Sequence, residues 1–119
     1  MVDGRRELGS RGEELAAAFF AARGYDIVER NWRCDIGEID LIVRKGKELR
    51  CIEVKTRRSF GGGLPEESVT EAKLTTLADL LDRYVEAMGG ADPFPHLDVL
   101  SIYIRDGIEY AYFPDIDAS

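Results

Sequence analysis

The chain has 119 residues and 13.3 kDa, with 45% hydrophobic and 33% charged side chains, which suits one domain with a modest core and excludes a disordered polar chain. No apolar run approaches the ~20 residues of a membrane span, the N-terminus lacks a signal-peptide pattern, and Cys34 and Cys51 make neither a disulfide framework nor a metal-ligand spacing. A soluble, cytoplasmic protein spanning residues 1–119 as a single domain is expected, with no membrane partner and with a net charge of −7.

Ser10 to Arg23 reads as a helix, with Leu8, Leu15, Ala16, Phe19 and Phe20 forming its apolar stripe and Gly24 closing it. Tyr25 to Arg30 reads as a short strand ending at Asn31. Glu38–Arg44 and Glu48–Lys55 are β-branched-rich strands about Lys45-Gly46-Lys47, a hairpin. Ile39, Leu41, Val43, Ile52 and Val54 are apolar on one side and Ile42, Leu49 and Cys51 on the other, the pattern of central strands. Ser59 to Pro65, with three successive glycines, is a loop. Ser68 with Glu71 has capping-box spacing and opens a helix to about Met88, whose face is Leu74, Leu77, Ala78, Leu81, Tyr84, Val85 and Met88. Leu97–Ile104 and Ile108–Phe113 form a second hairpin about Asp106-Gly107. The order α-β-β-β-α-β-β predicts one α/β domain, a mixed central sheet covered by helices.

The first hairpin carries the chemistry. A two-residue turn at Gly46-Lys47 makes every cross-strand pair sum to 93, setting Asp40 opposite Glu53 and Glu38 opposite Lys55. Like charges held ~5 Å apart in a strand pair are destabilising. A divalent cation between them would cancel the repulsion, and an all-oxygen ligand set suits Mg²⁺ or Mn²⁺. Pairing with Lys55, a raised carboxyl pKa, or simple exposure to water at the hairpin's surface are the other resolutions.

Gly37-Glu38-Ile39-Asp40-Leu41-Ile42 followed by Cys51-Ile52-Glu53-Val54-Lys55-Thr56-Arg57 resembles the Asp…Glu-x-Lys core of the PD-(D/E)xK nuclease superfamily. Arg11-Gly12-Glu13, Arg23-Gly24-Tyr25, Arg30-Asn31-Trp32-Arg33 and Val69…Lys73 extend the resemblance over about residues 8–104 to the YraN-type family of bacterial proteins, related to archaeal Holliday-junction resolvases. The resemblance implies a restriction-endonuclease-like three-layer fold. It also implies Asp40 and Glu53 as metal ligands and Lys55 as the catalytic lysine, and the function expected from the whole reading is a Mg²⁺- or Mn²⁺-dependent endonuclease acting on structured, branched DNA in preference to RNA. The alternative is a nuclease-like module that binds nucleic acid or protein without cutting it.

Superfamily nucleases often add a carboxylate from the first helix. Helical angles put Glu13 at the border of the apolar face and Glu14 towards water, so Glu13 is a candidate third ligand, or else an acidic residue favoured by the helix dipole. Lys73 flanks the apolar face of the second helix, as a phosphate contact near the site or a lysine snorkelling at the core edge. Arg30, Arg33, Arg57 and Arg58 with Trp32 combine basic and aromatic character suited to nucleic acid. Residues 1–58 hold 13 Lys/Arg against 11 Asp/Glu, a balance of +2, and residues 59–119 hold 3 against 12, a balance of −9. Since phosphate affinity rests on counterion release by cationic groups, any such surface belongs to the N-terminal half. Small size and two-fold symmetric branched substrates suggest a homodimer. His96 reads as a loop residue, Cys51 as core, Cys34 as a partly exposed thiol, and Asp98 as a strand-start or sheet-edge contact.

Overall fold

The computed structural model describes residues 4–58, 71–90 and 94–116. The expected loop at Ser59–Pro65 and the Ser68 cap lie outside the described residues. The elements are α1 (Gly4–Ala21), β1 (Asp26–Cys34), β2 (Gly37–Lys45), β3 (Glu48–Arg57), α2 (Glu71–Ala87), β4 (His96–Ile104) and β5 (Ile108–Phe113), in the predicted order. Several bounds differ from the expectation. α1 begins six residues earlier, β1 runs through Asn31 to Cys34, and β4 takes in His96, so His96 is a strand residue rather than a loop residue.

One five-stranded sheet runs β1-β2-β3-β4-β5, antiparallel except for the β3–β4 pair, which the α2 crossover makes parallel. α1 covers one face, where Ala16, Ala17, Phe19 and Phe20 meet Leu41, Val43, Ile52, Leu100 and Ile102. α2 covers the other, where Leu77, Leu80, Leu81 and Tyr84 meet Ile42, Leu49, Cys51 and Leu97. Leu80 joins the buried face of α2 and Met88 is exposed, so the helix sits rotated slightly from its predicted orientation. The three-layer architecture follows from strands that are apolar on both sides, each side needing its own cover.

The turn at Gly46, with φ 61°, pairs Lys45 with Glu48, and the register sums to 93 through Leu41↔Ile52 as expected. There the β2–β3 ladder stops. Asp40↔Glu53 and Glu38↔Lys55 are not formed as cross-strand pairs. Two irregularities accompany this. On β1, Asn31 lies between the paired Arg30 and Trp32 with φ 53°, a left-handed conformation that Asn tolerates better than most residues. On β2, Leu41 packs in the α1-side core while Ile39, predicted on the same side, packs with α2. Asp40 and Leu41 therefore both turn towards α1, and strand alternation is broken at that point.

α1 crosses β3 closely because residue 12 is glycine. A Cβ there would stand 1.9 Å from Thr56 Oγ1 and 2.9 Å from Thr56 Cβ. The contact lowers the N-terminal half of α1 onto the sheet and carries Glu13 to the fork. Gly12→Ala is expected to lose about 1–3 kcal/mol of stability by overpacking. Its loss should shrink when Thr56→Ala is combined with it, as chemical-denaturation midpoints of both variants would show.

A buried ionic network closes the opposite end of the α1-side core. Asp98 on β4 is fully buried and accepts from Arg50 Nη1 on β3 at 2.9 and 3.2 Å, from the Tyr112 hydroxyl on β5, and from Asp115 N at 2.9 Å. Arg50 also donates to Glu48 at 3.0 Å and Asp115 at 3.3 Å. Asp98 is thus a central cross-strand tie rather than a strand-edge contact.

Candidate metal centre

The split between β2 and β3 holds the acidic groups. Asp40 Oδ2 accepts from the Val54 amide at 2.8 Å, so the carboxylate occupies the place in the ladder that a β2 carbonyl would fill. Glu13 from α1 and Glu38 from β2 reach the same spot, and one carboxylate oxygen from each of Glu13, Glu38 and Asp40 lies within 4.8 Å of the others. The Asn31 amide sits between Glu13 and Glu38. Oriented with its nitrogen towards them, it donates to Glu13 Oε1 and Glu38 Oε1 at 3.1 Å each.

Glu53 and the two lysines stand towards α2. Glu53, whose side chain is 11% exposed, pairs with Lys55 Nζ at 3.3 Å and Lys73 Nζ at 3.0 Å. Lys73 thus reaches the site from α2. Burial pushes the Asp40 carboxyl up to about 7, and the charges of Glu53, Glu38 and Glu13 add to the shift while the Val54 N–H opposes it. Lys55 is held below the usual lysine range by burial, with the Lys73 ammonium adding to the effect and Glu53 resisting it. Lys73 moves the other way. Burial lowers it, but its contact with Lys55 and the charges of Glu53 and Asp40 prevail. Of the two ammonium groups, Lys55 releases its proton more readily.

Of the residues singled out from sequence, the fork therefore brings together Asp40 and Glu13, with Glu53, Lys55 and Lys73 as a connected group beside them. Glu38 joins the carboxylates, a role that its i, i+2 spacing from Asp40 could have signalled, since alternate strand residues share a face. Glu14 points to water and pairs with Arg30 at 3.3 Å, and Arg33 pairs with Glu38 at 2.8 Å. Trp32 sets its edge against the Tyr84 ring, centroids 5.3 Å apart, so it serves the α2-side core and does not share a surface with those arginines. Arg57 is half-buried near the end of β3 opposite Tyr103, and Arg58 lies just beyond on the rim of a cavity against α1. Cys51 is buried and its thiol is pushed up to about 12 by desolvation, which leaves it inert.

The residues fit a hard divalent cation. All donors are carboxylate oxygens, the Asp40 charge is destabilised without a cation, and Mg²⁺ bonds of about 2.0–2.1 Å need ligand oxygens a few ångströms apart. No helix among the described residues is long and apolar enough to cross a membrane.

The family model described as Uncharacterised protein family UPF0102 matches residues 12–102, a span that contains Glu13, Glu38, Asp40, Glu53, Lys55 and Lys73. A UPF0102 protein of Caldicellulosiruptor saccharolyticus is 38% identical over 101 residues, 85% of this chain and 86% of that protein. One from Nocardioides sp. is 43% identical over 98 residues, 82% of this chain and 79% of its own. One from Clavibacter michiganensis subsp. michiganensis is 48% identical over 82 residues, 69% and 70% of the two chains. With a family model spanning the second half of α1, β1 to β3, α2 and most of β4, and with relatives matched over most of their length, the chain belongs to the UPF0102 family.

Proposed function

We propose that the protein is a divalent-cation-dependent endonuclease that cleaves phosphodiester bonds in branched DNA. The observation that supports this reading best is the convergence of Glu13, Glu38 and Asp40 on one point, next to the Glu53–Lys55–Lys73 group. Asp40, Glu13 and Glu38 would hold the ion, and the nearby Glu53 charge, which already acts on Asp40, would add to its attraction. When bound, Mg²⁺ or Mn²⁺ supplies Lewis acidity towards a phosphoryl oxygen and lowers the pKa of water. Glu53 orients the Lys55 ammonium. Lys55, with its proton loosely held, moves a proton at Nζ or balances charge as the pentavalent phosphorus forms. Lys73 keeps its charge and neutralises Glu53 in the absence of substrate.

Calorimetric Mn²⁺ titration tests the ligands. Asp40→Asn should abolish binding, and Glu38→Gln, Glu13→Gln and Glu53→Gln should each weaken it at least tenfold, whereas binding unaltered by Asp40→Asn removes the site. Cleavage of branched against linear DNA, with RNA as a third substrate and Lys55→Ala as control, tests the chemistry. Wild type that binds branched DNA but yields no more product than Lys55→Ala would be a binding module on a nuclease scaffold. We also propose a homodimer, on the two-fold symmetry of branched substrates, and light scattering that gives a 13 kDa mass would overturn it.

A further inference from the structure

Four arginines of this acidic protein are matched with carboxylates: Arg30 with Glu14, Arg33 with Glu38, Arg50 with Asp98 and Arg83 with Asp35. A different group gathers at the far end of the α1 face. Arg11 from α1, Arg58 just past β3 and Arg105 just past β4 line one cavity of about 510 Å³ with Leu8 and Ile104. Among the described residues, no acidic side chain is in that lining and Arg11 and Arg105 make no ion pair. Three guanidinium groups from three elements thus border one cavity, and Asp106 and Glu109 line the adjoining one that Arg58 and Arg105 share.

The cavity adjoins the candidate metal centre. A second cavity, about 310 Å³, is lined by Leu8, Gly9, Glu13, Asp40, Val54 and Thr56, so Leu8 is a wall common to both. An acidic compartment fit for a cation thus borders a cationic compartment fit for an anion, along the edge where α1 meets β3. Guanidinium groups donate in a planar fork that matches a phosphate's oxygens, and a volume of this size takes a nucleotide-sized group.

We propose that Arg11, Arg58 and Arg105 form a phosphate pocket that holds the nucleic-acid backbone next to the phosphate at Asp40. The assignment of the neighbouring phosphate rests on the endonuclease reading. It makes the substrate a strand that continues past the point of cleavage rather than a mononucleotide or a terminal phosphate.

Fluorescence anisotropy with labelled branched DNA in EDTA, where nothing can be cut, tests the pocket across a salt series. Arg11→Ala and Arg105→Ala should each weaken binding at least fivefold and flatten the log K against log salt slope by about 0.7–0.9, one phosphate contact. Lys47→Ala, in the distant hairpin turn, should change affinity less than twofold. Arg105→Lys should keep the slope while losing part of the affinity, because it retains the charge without the fork. Inorganic phosphate should displace the DNA from wild type more effectively than chloride at equal ionic strength, and lose that advantage in Arg11→Ala. Slopes equal to wild type in both alanine variants overturn the proposal, as does an equal loss in Lys47→Ala. Phosphate bound by wild type while DNA binding ignores both arginines overturns it in favour of a small-anion site. The two readings fail separately. Arginine-dependent binding without cation-dependent cleavage leaves the pocket and removes the nuclease, and cleavage of branched DNA indifferent to both arginines does the reverse.

Discussion

Asp40→Asn should make the cation-free protein more stable at pH 8, not less. The Asp40 carboxyl titrates at about 7 in the folded chain against an ordinary value of 3.8. A group raised in this way contributes stability below its unfolded value, and that contribution is lost as pH rises through the folded value, because the folded state binds the extra proton. Between pH 4 and 7 this one residue removes up to about 4 kcal/mol from the fold, at ~1.4 kcal/mol per pH unit. The asparagine keeps an oxygen for the Val54 amide and carries no charge to titrate. A gain of roughly 1–3 kcal/mol over wild type at pH 8, and none near pH 4, is expected once the altered hydrogen bond is allowed for. For a chain of this length that raises Tm by about 4–15 °C. Adding Mn²⁺ should reverse the order. The ion stabilises wild type by mass action and leaves Asp40→Asn where it was. Parallel melts at pH 4 and pH 8, with and without Mn²⁺, decide the matter, and an asparagine variant no more stable than wild type at pH 8 would mean that the Asp40 charge is compensated within the protein.

The second large effect lies at the other end of the α1-side core and has nothing to do with a cation. Asp98→Ala should cost about 3–5 kcal/mol, since it strands the Arg50 guanidinium in a buried position and removes the acceptor of the Tyr112 hydroxyl and the Asp115 amide. Arg50→Met should cost a similar amount by leaving the fully buried Asp98 carboxylate without its cation. Burial raises the Asp98 carboxyl above its ordinary value even with Arg50, Tyr112 and the Asp115 amide holding the ionised form. Losing Arg50 raises it further, so that variant should be relatively more stable in mild acid, where the carboxyl binds a proton. Combining Arg50→Met with Asp98→Ala should recover at least half of the summed loss, because the pair's desolvation is relieved together. Urea-denaturation midpoints of the two single variants and the double variant measure this. Additive losses would show that Arg50 and Asp98 act through separate contacts.

The two sites differ in the way their charges are met, although both are buried carboxylate centres on one sheet. Asp98 is surrounded by donors from its own chain, as a structural ion is. Asp40 accepts from the Val54 amide and has carboxylates on three sides, while the two lysines pair with Glu53. The electrostatic deficit at Asp40 is local, and a cation is the economical way to remove it.

The order and type of the elements, the five-pair register of the hairpin and the two-sided apolar pattern of its strands were set by the sequence alone, because turn chemistry and side-chain alternation act over a few residues. The same local rules carried Asp40 to a position opposite Glu53, and there they failed. Alternation cannot anticipate the left-handed conformation at Asn31 or the change of side at Asp40, where Leu41 joins the α1-side core and Ile39 the α2-side core. Those layers, and the close crossing at Gly12 that delivers Glu13, decided that Glu38 joins the carboxylates and that Glu53 keeps company with two lysines. Arg50 and Asp98 are 48 residues apart along the chain, Arg11, Arg58 and Arg105 are each at least 47 apart, and no periodicity links them. Long-range charge pairing is a property of the packed sheet, and only the folded chain shows it.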